Sequence, residues 1–152
     1  MQLFKLLFLF ILTLSVVSAE VHEATLNNGM KIFVKEDTRS PVVVSQVWYR
    51  AGSIDEVNGK TGIAHVLEHM MFKGTKTSRP GEFSEIIAAA GGRENAFTGA
   101  DYTCYFQQLE KSQLPVALKM EADRMQNLII TEEEFNKEIN VVMEERRWRT
   151  DD

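Results

Sequence analysis

The five residues His65 to His69, with the sequence HVLEH, constrain the fold of this chain more than any other segment. Apolar residues spaced three or four apart around them, including Ile63 and Met70, predict a helix over Thr61–Phe72. On such a helix, residues four positions apart lie on one face with Cβ atoms about 5–6 Å apart. Two imidazoles so placed can each give a nitrogen to one zinc ion. The same spacing also arises by coincidence or on a solvated surface, so the pair alone does not identify a metal site.

Glu68 adds to the zinc interpretation because it precedes the second histidine of an otherwise apolar helix. It is poorly placed as a further ligand, but it can hold a water beside the metal. A catalytic zinc site needs a third protein ligand and an open fourth position. The remaining histidine, His22, is predicted on a hairpin strand near the N-terminus and is a poor candidate. We therefore expect a carboxylate as the third ligand.

The last predicted helix, which begins at Thr131, offers six glutamates for this position: Glu132, Glu133, Glu134, Glu138, Glu144 and Glu145. The first three are expected to favour the helix N-terminus and solvent. Glu144 is expected to pair with Arg147 on the exposed face. Glu138 and Glu145 are seven residues apart and share a face that borders apolar residues. At least one of these two is expected to face the metal.

The hydrophobic pattern predicts strands and helices in mixed order. The predicted strands are Val21–Leu26, Met30–Lys35, Val42–Tyr49, Arg93–Phe97 and Tyr102–Leu109. The predicted helices are Thr61–Phe72, Glu82–Ala90, Ser112–Leu128 and a last helix that begins at Thr131. At the start of this last helix, Thr131 and Glu134 fit a capping box. Asn28-Gly29 between the first two strands is a strong hairpin signal, because both residues tolerate positive φ. The pattern indicates an α+β fold with a mostly antiparallel sheet packed against helices.

The N-terminal segment Met1–Ala19 has the three parts of a secretory signal. Lys5 precedes an apolar stretch, and Val17 and Ala19 occupy the −3 and −1 positions of a cleavage site. Residues 1–19 are therefore predicted to be a signal peptide, and residues 20–152 an exported, periplasmic domain. The alternative is an uncleaved membrane anchor through residues 6–17, which is shorter than the ~20 residues a spanning helix needs.

Charge and cysteine content exclude several classes of protein. The chain has 17 basic and 22 acidic residues and a net charge of −5, which argues against nucleic acid as a partner. The single cysteine, Cys104, excludes an internal disulfide and any site built from several cysteines. Cys104 is expected to pack in a strand as a small hydrophobic residue.

Four sequence motifs together resemble the pitrilysin, or insulinase, family of zinc metallopeptidases, which includes insulin-degrading enzyme and the mitochondrial processing peptidases. They are AGSIDE at 51–56 with GIAHVLEHMMFKGT at 62–75, ENAFT at 94–98, DYTCY at 101–105 and EINVVMEE at 138–145. The HVLEH order inverts the commoner His-Glu-x-x-His motif. The resemblance covers residues 21–150 and implies the N-terminal portion of a pitrilysin-like catalytic domain, truncated in this chain.

The resemblance implies a role for each residue of the site. It implies that His65, His69 and Glu145 bind one zinc ion. Glu68 would be the general base that takes a proton from water, and Glu138 a carboxylate that supports the ligands.

The resemblance also implies a substrate and a partner. Asn95, Ala96 and Phe97 would lie on an edge strand to which an extended peptide adds by backbone pairing. The implied activity is an exported zinc endopeptidase acting on extended peptides or unfolded polypeptides. A second homologous domain or partner subunit is implied as well. The alternative is a zinc-binding subunit or fragment that is not catalytic without such a partner.

Overall fold

The structure, a computed structural model, describes residues 20–150 of the 152-residue chain, so the predicted signal peptide lies outside the described residues. The strands are β1 (Val21–Thr25), β2 (Lys31–Lys35), β3 (Val42–Tyr49), β4 (Arg93–Thr98) and β5 (Thr103–Glu110), and the helices are α1 (Ile63–Met70), α2 (Glu82–Ala89), α3 (Leu114–Asn127) and α4 (Glu132–Thr150). Helices together with antiparallel strands confirm the predicted α+β class. Within residues 20–150, no helix combines the length and the apolar character needed to cross a membrane.

The first compact unit ends at Ser40 and is built on the hairpin of β1 and β2. The amide of Gly29 donates to the carbonyl of Leu26 at 2.8 Å, and Gly29 has a φ of +85°. The amide of Met30 donates to Asn28 Oδ1 at 3.1 Å. The predicted hairpin is therefore present, but in the Asn28-Gly29 pair the glycine adopts positive φ and the asparagine does not.

The second unit begins at Pro41 and contains a three-stranded antiparallel sheet in the order β3-β5-β4. Tyr105 on the central strand is paired with Val47 on one side and Ala96 on the other. Within the described residues, β4 is thus an edge strand. Cys104 is buried on β5 without a disulfide partner, and burial raises the pKa of its thiol to about 11. A thiol in this environment fits the predicted packing role.

Helices α2 and α3 cover one face of this sheet. The small hydrophobic core between the sheet and these helices contains Phe83 and Ile87 of α2, Leu109 of β5 and Ala117 of α3. The spacing of Phe83 and Ile87 places both on the face of α2 that turns toward the sheet, as the periodicity predicts. On the same sheet, α1 packs against β4, and α4 in turn packs against α1.

A charged pair is buried beside that core. Glu121 and Arg124, both on α3, are each 2% exposed, and Arg124 Nη2 lies 2.5 Å from Glu121 Oε1. Gln107 Nε2 of β5 donates to the same oxygen at 2.5 Å. The Arg124 guanidinium lies over the rings of Tyr105, Phe83 and Phe72 at 4.3, 4.9 and 5.3 Å from their centroids. The guanidinium is therefore held by three aromatic rings and one carboxylate, and within residues 20–150 its Nη1 atom is buried without a hydrogen-bond partner.

The ends of α4 follow the predictions in part. The amide of Glu134 donates to Thr131 Oγ1 at 3.2 Å, which is one half of the predicted capping box. The carboxylate of Glu134 accepts from Lys137 Nζ at 2.9 Å, and this contact takes the place of the other half of the box. The predicted pair of Glu144 with Arg147 is present on the exposed surface.

Candidate metal centre

The start of α1 is held by a carboxylate from the preceding loop. Glu56 accepts hydrogen bonds from the amides of Gly62 and Ala64 at 2.7 and 2.9 Å. These bonds lower the pKa of Glu56 below its ordinary value. Gly62, with a φ of +92°, is the residue before the first helical position. The helix therefore begins at Ile63, two residues later than predicted, and its first turn carries His65.

The structure brings His65, His69 and Glu145 together. One ligand atom from each residue lies within 4.8 Å of the others. The Nε2 atoms of the two histidines are 3.3 Å apart, and their rings are perpendicular. Glu145 of α4 places Oε2 at 3.5 Å from His65 Nε2 and Oε1 at 3.9 Å from His69 Nε2. This is the ligand set that the resemblance implies.

These separations fit a tetrahedral zinc ion. Bonds of 2.0–2.1 Å at a tetrahedral angle separate two ligand atoms by roughly 3.3–3.4 Å. The two histidine nitrogens have this separation, and the shorter of the two carboxylate contacts is close to it. Two imidazole nitrogens and one carboxylate oxygen are also the donors of a known type of catalytic zinc site, in which a fourth position stays open.

Glu138 holds the other side of the His69 ring. Its Oε2 lies 2.9 Å from His69 Nδ1, and its Oε1 is paired with Lys73 Nζ. Although burial alone would raise it, the contacts with Lys73 and His69 lower the pKa of Glu138 below its ordinary value. A carboxylate at Nδ1 favours the tautomer that carries its proton there, which leaves the lone pair of Nε2 directed at the cluster.

Glu68 lies beside this cluster and is held by the sheet. The side chain is 8% exposed, and its Oε2 accepts a hydrogen bond from the hydroxyl of Thr98, the last residue of β4. Thr98 Oγ1 is 3.3 Å from Thr103 Oγ1, and Thr103 donates to the carbonyl of Ala51 at 2.9 Å. Thr98 thus gives its proton to the buried carboxylate and Thr103 gives its proton to the backbone, so the contact between the two hydroxyl oxygens carries no proton.

A cleft of about 620 Å³ opens next to these groups. His65 and Glu68 line it together with Ala96, Phe97 and Thr98 of the edge strand. Of the three predicted substrate residues, Asn95 is exposed, and its Oδ1 accepts from the amide of Ala96 at 2.9 Å. Ala96 and Phe97 are thus at the cleft, whereas Asn95 is not among the residues that line it. Substrate contact by all three stays a prediction.

Sequence reasoning missed two residues of the site, Lys73 and Thr98. Lys73 lies just after α1 and bears no spacing relation to the glutamates of α4, which it reaches only because α1 packs against α4. Thr98 is part of the ENAFT motif, and strand alternation puts it on the same face as Ala96. That alternation was the available signal, but it does not reveal the contact with Glu68.

The chain is similar in sequence and in fold to known proteases. The family described as Insulinase (Peptidase family M16) matches residues 31–150. The zinc protease PqqE of Helicobacter pylori is 44% identical over 132 residues, which are 86% of this chain and 30% of that protein. A crystal structure of a protease from Helicobacter pylori matches with a TM-score of 0.84 at 42% identity, over 88% of this chain and 32% of that one. Pitrilysin matches with a TM-score of 0.80 at 25% identity, over 89% of this chain and 14% of that one. The chain spans about a third or less of these relatives.

Proposed function

Because the chain belongs to the insulinase family of peptidases, peptidase family M16, we propose that it is the zinc-binding catalytic portion of an exported endopeptidase. The observation that carries the proposal is the convergence of His65, His69 and Glu145, of which His65 lines one cleft together with Glu68. The proposed zinc ligands are these two histidines and Glu145, with one ion per domain. When bound, zinc supplies a Lewis acid that activates water and polarises a carbonyl group.

Glu68 is the proposed general base. Its carboxylate takes a proton from the attacking water and then gives it to the leaving nitrogen of the peptide bond. The hydrogen bond to Thr98 uses Oε2, and within residues 20–150 no hydrogen bond of Oε1 is seen. The base therefore has one oxygen anchored and one oxygen free for the proton transfer.

Glu138 is proposed to orient a ligand. Its hydrogen bond at 2.9 Å fixes the ring of His69, and Lys73 holds the second oxygen of the same carboxylate. A carboxylate behind a metal-binding histidine fixes the ring and its tautomer.

The proposed substrate is an extended peptide or an unfolded polypeptide. Within residues 20–150 the outer edge of β4 pairs with no further strand, so it offers backbone groups to a peptide, and Ala96 and Phe97 border the cleft next to Glu68. Addition of a strand to a sheet edge would align the peptide backbone with the proposed base. Asn95 is proposed to contact the peptide from the same edge.

Removal of metal tests this function. The protein produced from its complete reading frame should cleave an unstructured peptide, lose that activity on chelation and regain it with one equivalent of zinc. The physical reason is that both the water and the carbonyl need the cation, whereas the fold of residues 20–150 rests largely on packing away from it. Cleavage that persists in protein shown to be free of metal would contradict the proposal.

A zinc-binding but non-catalytic portion is the second candidate. It is favoured by one observation: the chain spans only 30% of the PqqE sequence. In that case a further homologous domain or a partner subunit completes the site. Stoichiometric zinc without cleavage by the single protein, and cleavage once a partner is added, would favour this candidate over the first.

Export is proposed from residues 1–19, with cleavage after Ala19. Mass spectrometry of the protein recovered from its source cells is expected to find Glu20 as the N-terminal residue. An intact Met1 would instead favour the alternative, a retained anchor through residues 6–17.

A further inference from the structure

We propose that Thr98 is a positioning residue for Glu68, and this inference rests on the proposed function. Its hydroxyl donates to Glu68 Oε2 from the end of the edge strand. The two residues are thirty positions apart and belong to α1 and β4, which pack against each other. The bond therefore ties the proposed base to the strand that borders the cleft.

The hydrogen bond from Thr98 matters because Glu68 is buried. At 8% exposure the carboxylate has little access to water, and a carboxylate in such a place needs hydrogen-bond partners from the protein. Thr98 is the partner seen within residues 20–150, and a bond to a charged acceptor is stronger than one between neutral groups. Thr98 thus selects the orientation of the Glu68 side chain.

Thr98 is itself held in place. It is the direct cross-strand partner of Thr103, which is 5% exposed. The hydroxyl of Thr103 donates a hydrogen bond to the carbonyl oxygen of Ala51 at 2.9 Å. Thr103 Oγ1 also lies 3.3 Å from Thr98 Oγ1. The pairing of β4 with β5 therefore holds the donor in place, and Glu68 itself lines the cleft. A positioning role explains this arrangement, in which only one oxygen of the base is anchored.

The test uses Thr98→Val, which keeps the shape of the side chain and removes the hydroxyl, and Thr98→Ser, which keeps the hydroxyl. Loss of a hydrogen bond to a charged group predicts roughly 10- to 100-fold lower kcat for Thr98→Val. Zinc affinity should stay near its original value, because the side-chain contacts of Thr98 seen within residues 20–150 are with Glu68 and Thr103 and with none of the three proposed ligands. Thr98→Ser should recover most of the lost rate. Unchanged kcat in Thr98→Val would overturn the proposal, and so would a parallel loss of zinc affinity in that variant.

A second measurement does not depend on activity. Crystal structures of the zinc-loaded protein and both variants should have Glu68 turned away from its original position in Thr98→Val and retained in Thr98→Ser. An unmoved Glu68 in Thr98→Val would overturn the positioning role even if the original protein proved inactive. Absence of cleavage by the original protein, in contrast, would count against the proposed function alone.

Discussion

Glu68→Gln is expected to lower kcat for peptide cleavage by about 10²- to 10⁴-fold while bound zinc stays at its original stoichiometry. The amide has nearly the same shape, and its oxygen can still accept the hydrogen bond from Thr98. It cannot accept a proton from water at neutral pH. The rate therefore falls because the base is lost, and the metal stays because none of His65, His69 and Glu145 is changed.

Glu144→Gln is the matched control for this variant. Glu144 is a carboxylate directly before the proposed ligand Glu145, but it lies on the exposed face of α4 and pairs with Arg147. Its substitution should leave kcat and zinc content near the original values. Zinc-loaded Glu68→Gln that cleaves at the original rate would remove Glu68 from the proposed mechanism. Steady-state cleavage of an unstructured peptide, with zinc measured in the same samples, separates these outcomes.

Arg124→Met is expected to lower the free energy of unfolding by about 3–5 kcal/mol. Methionine fills part of the space among the rings of Phe72, Phe83 and Tyr105, but it leaves Glu121 buried without its cation. Within residues 20–150, Gln107 then supplies the remaining hydrogen bond to that carboxylate. An uncompensated buried charge is far more costly than a lost surface contact. Urea unfolding of the chain, followed by circular dichroism, measures the change.

The control is an ion pair of the same spacing on the surface. Arg147 pairs with Glu144 three residues before it, as Arg124 does with Glu121, but both partners are largely exposed. Arg147→Met should cost less than about 1 kcal/mol. The double variant Glu121→Met with Arg124→Met should be more stable than Arg124→Met alone, because no charge is left buried. Equal effects of Arg124→Met and Arg147→Met would contradict the account.

The helix that carries the histidines could be predicted because the information is local. Apolar spacing around His65 and His69 indicates an amphipathic helix, and the i, i+4 relation places both rings on one face. The ends of the helix were less predictable. Its start depends on Glu56, a loop residue whose carboxylate binds the first amides and which has no fixed spacing from the helix.

The different positions of Glu138 and Glu145 could not be worked out from spacing. Both lie on one face of α4, and both approach the histidines in the structure. Glu138 reaches Nδ1 of His69, whereas Glu145 reaches the Nε2 atoms of both rings. This difference depends on how α4 crosses α1, which is a property of tertiary packing. Only the resemblance to the family distinguished the two carboxylates in advance.

Arg124 marks another limit of sequence reasoning. Arginine is mostly exposed in folded proteins, and a charged residue on an amphipathic helix is expected to face water. Here α3 turns Arg124 toward three rings that come from α2, β5 and the segment after α1. These groups are distant in sequence, so no local sequence pattern predicts that Glu121 and Arg124 form a buried pair.

In the proposed site, His65, His69 and Glu145 hold one zinc ion beside Glu68. Anomalous diffraction at the zinc absorption edge, from crystals of the zinc-loaded protein, tests it most directly. One strong peak is expected at roughly 2.0–2.2 Å from Nε2 of each histidine and from one carboxylate oxygen of Glu145. No peak at this position, or a peak bonded to Glu138 or Glu68 in place of Glu145, would contradict it.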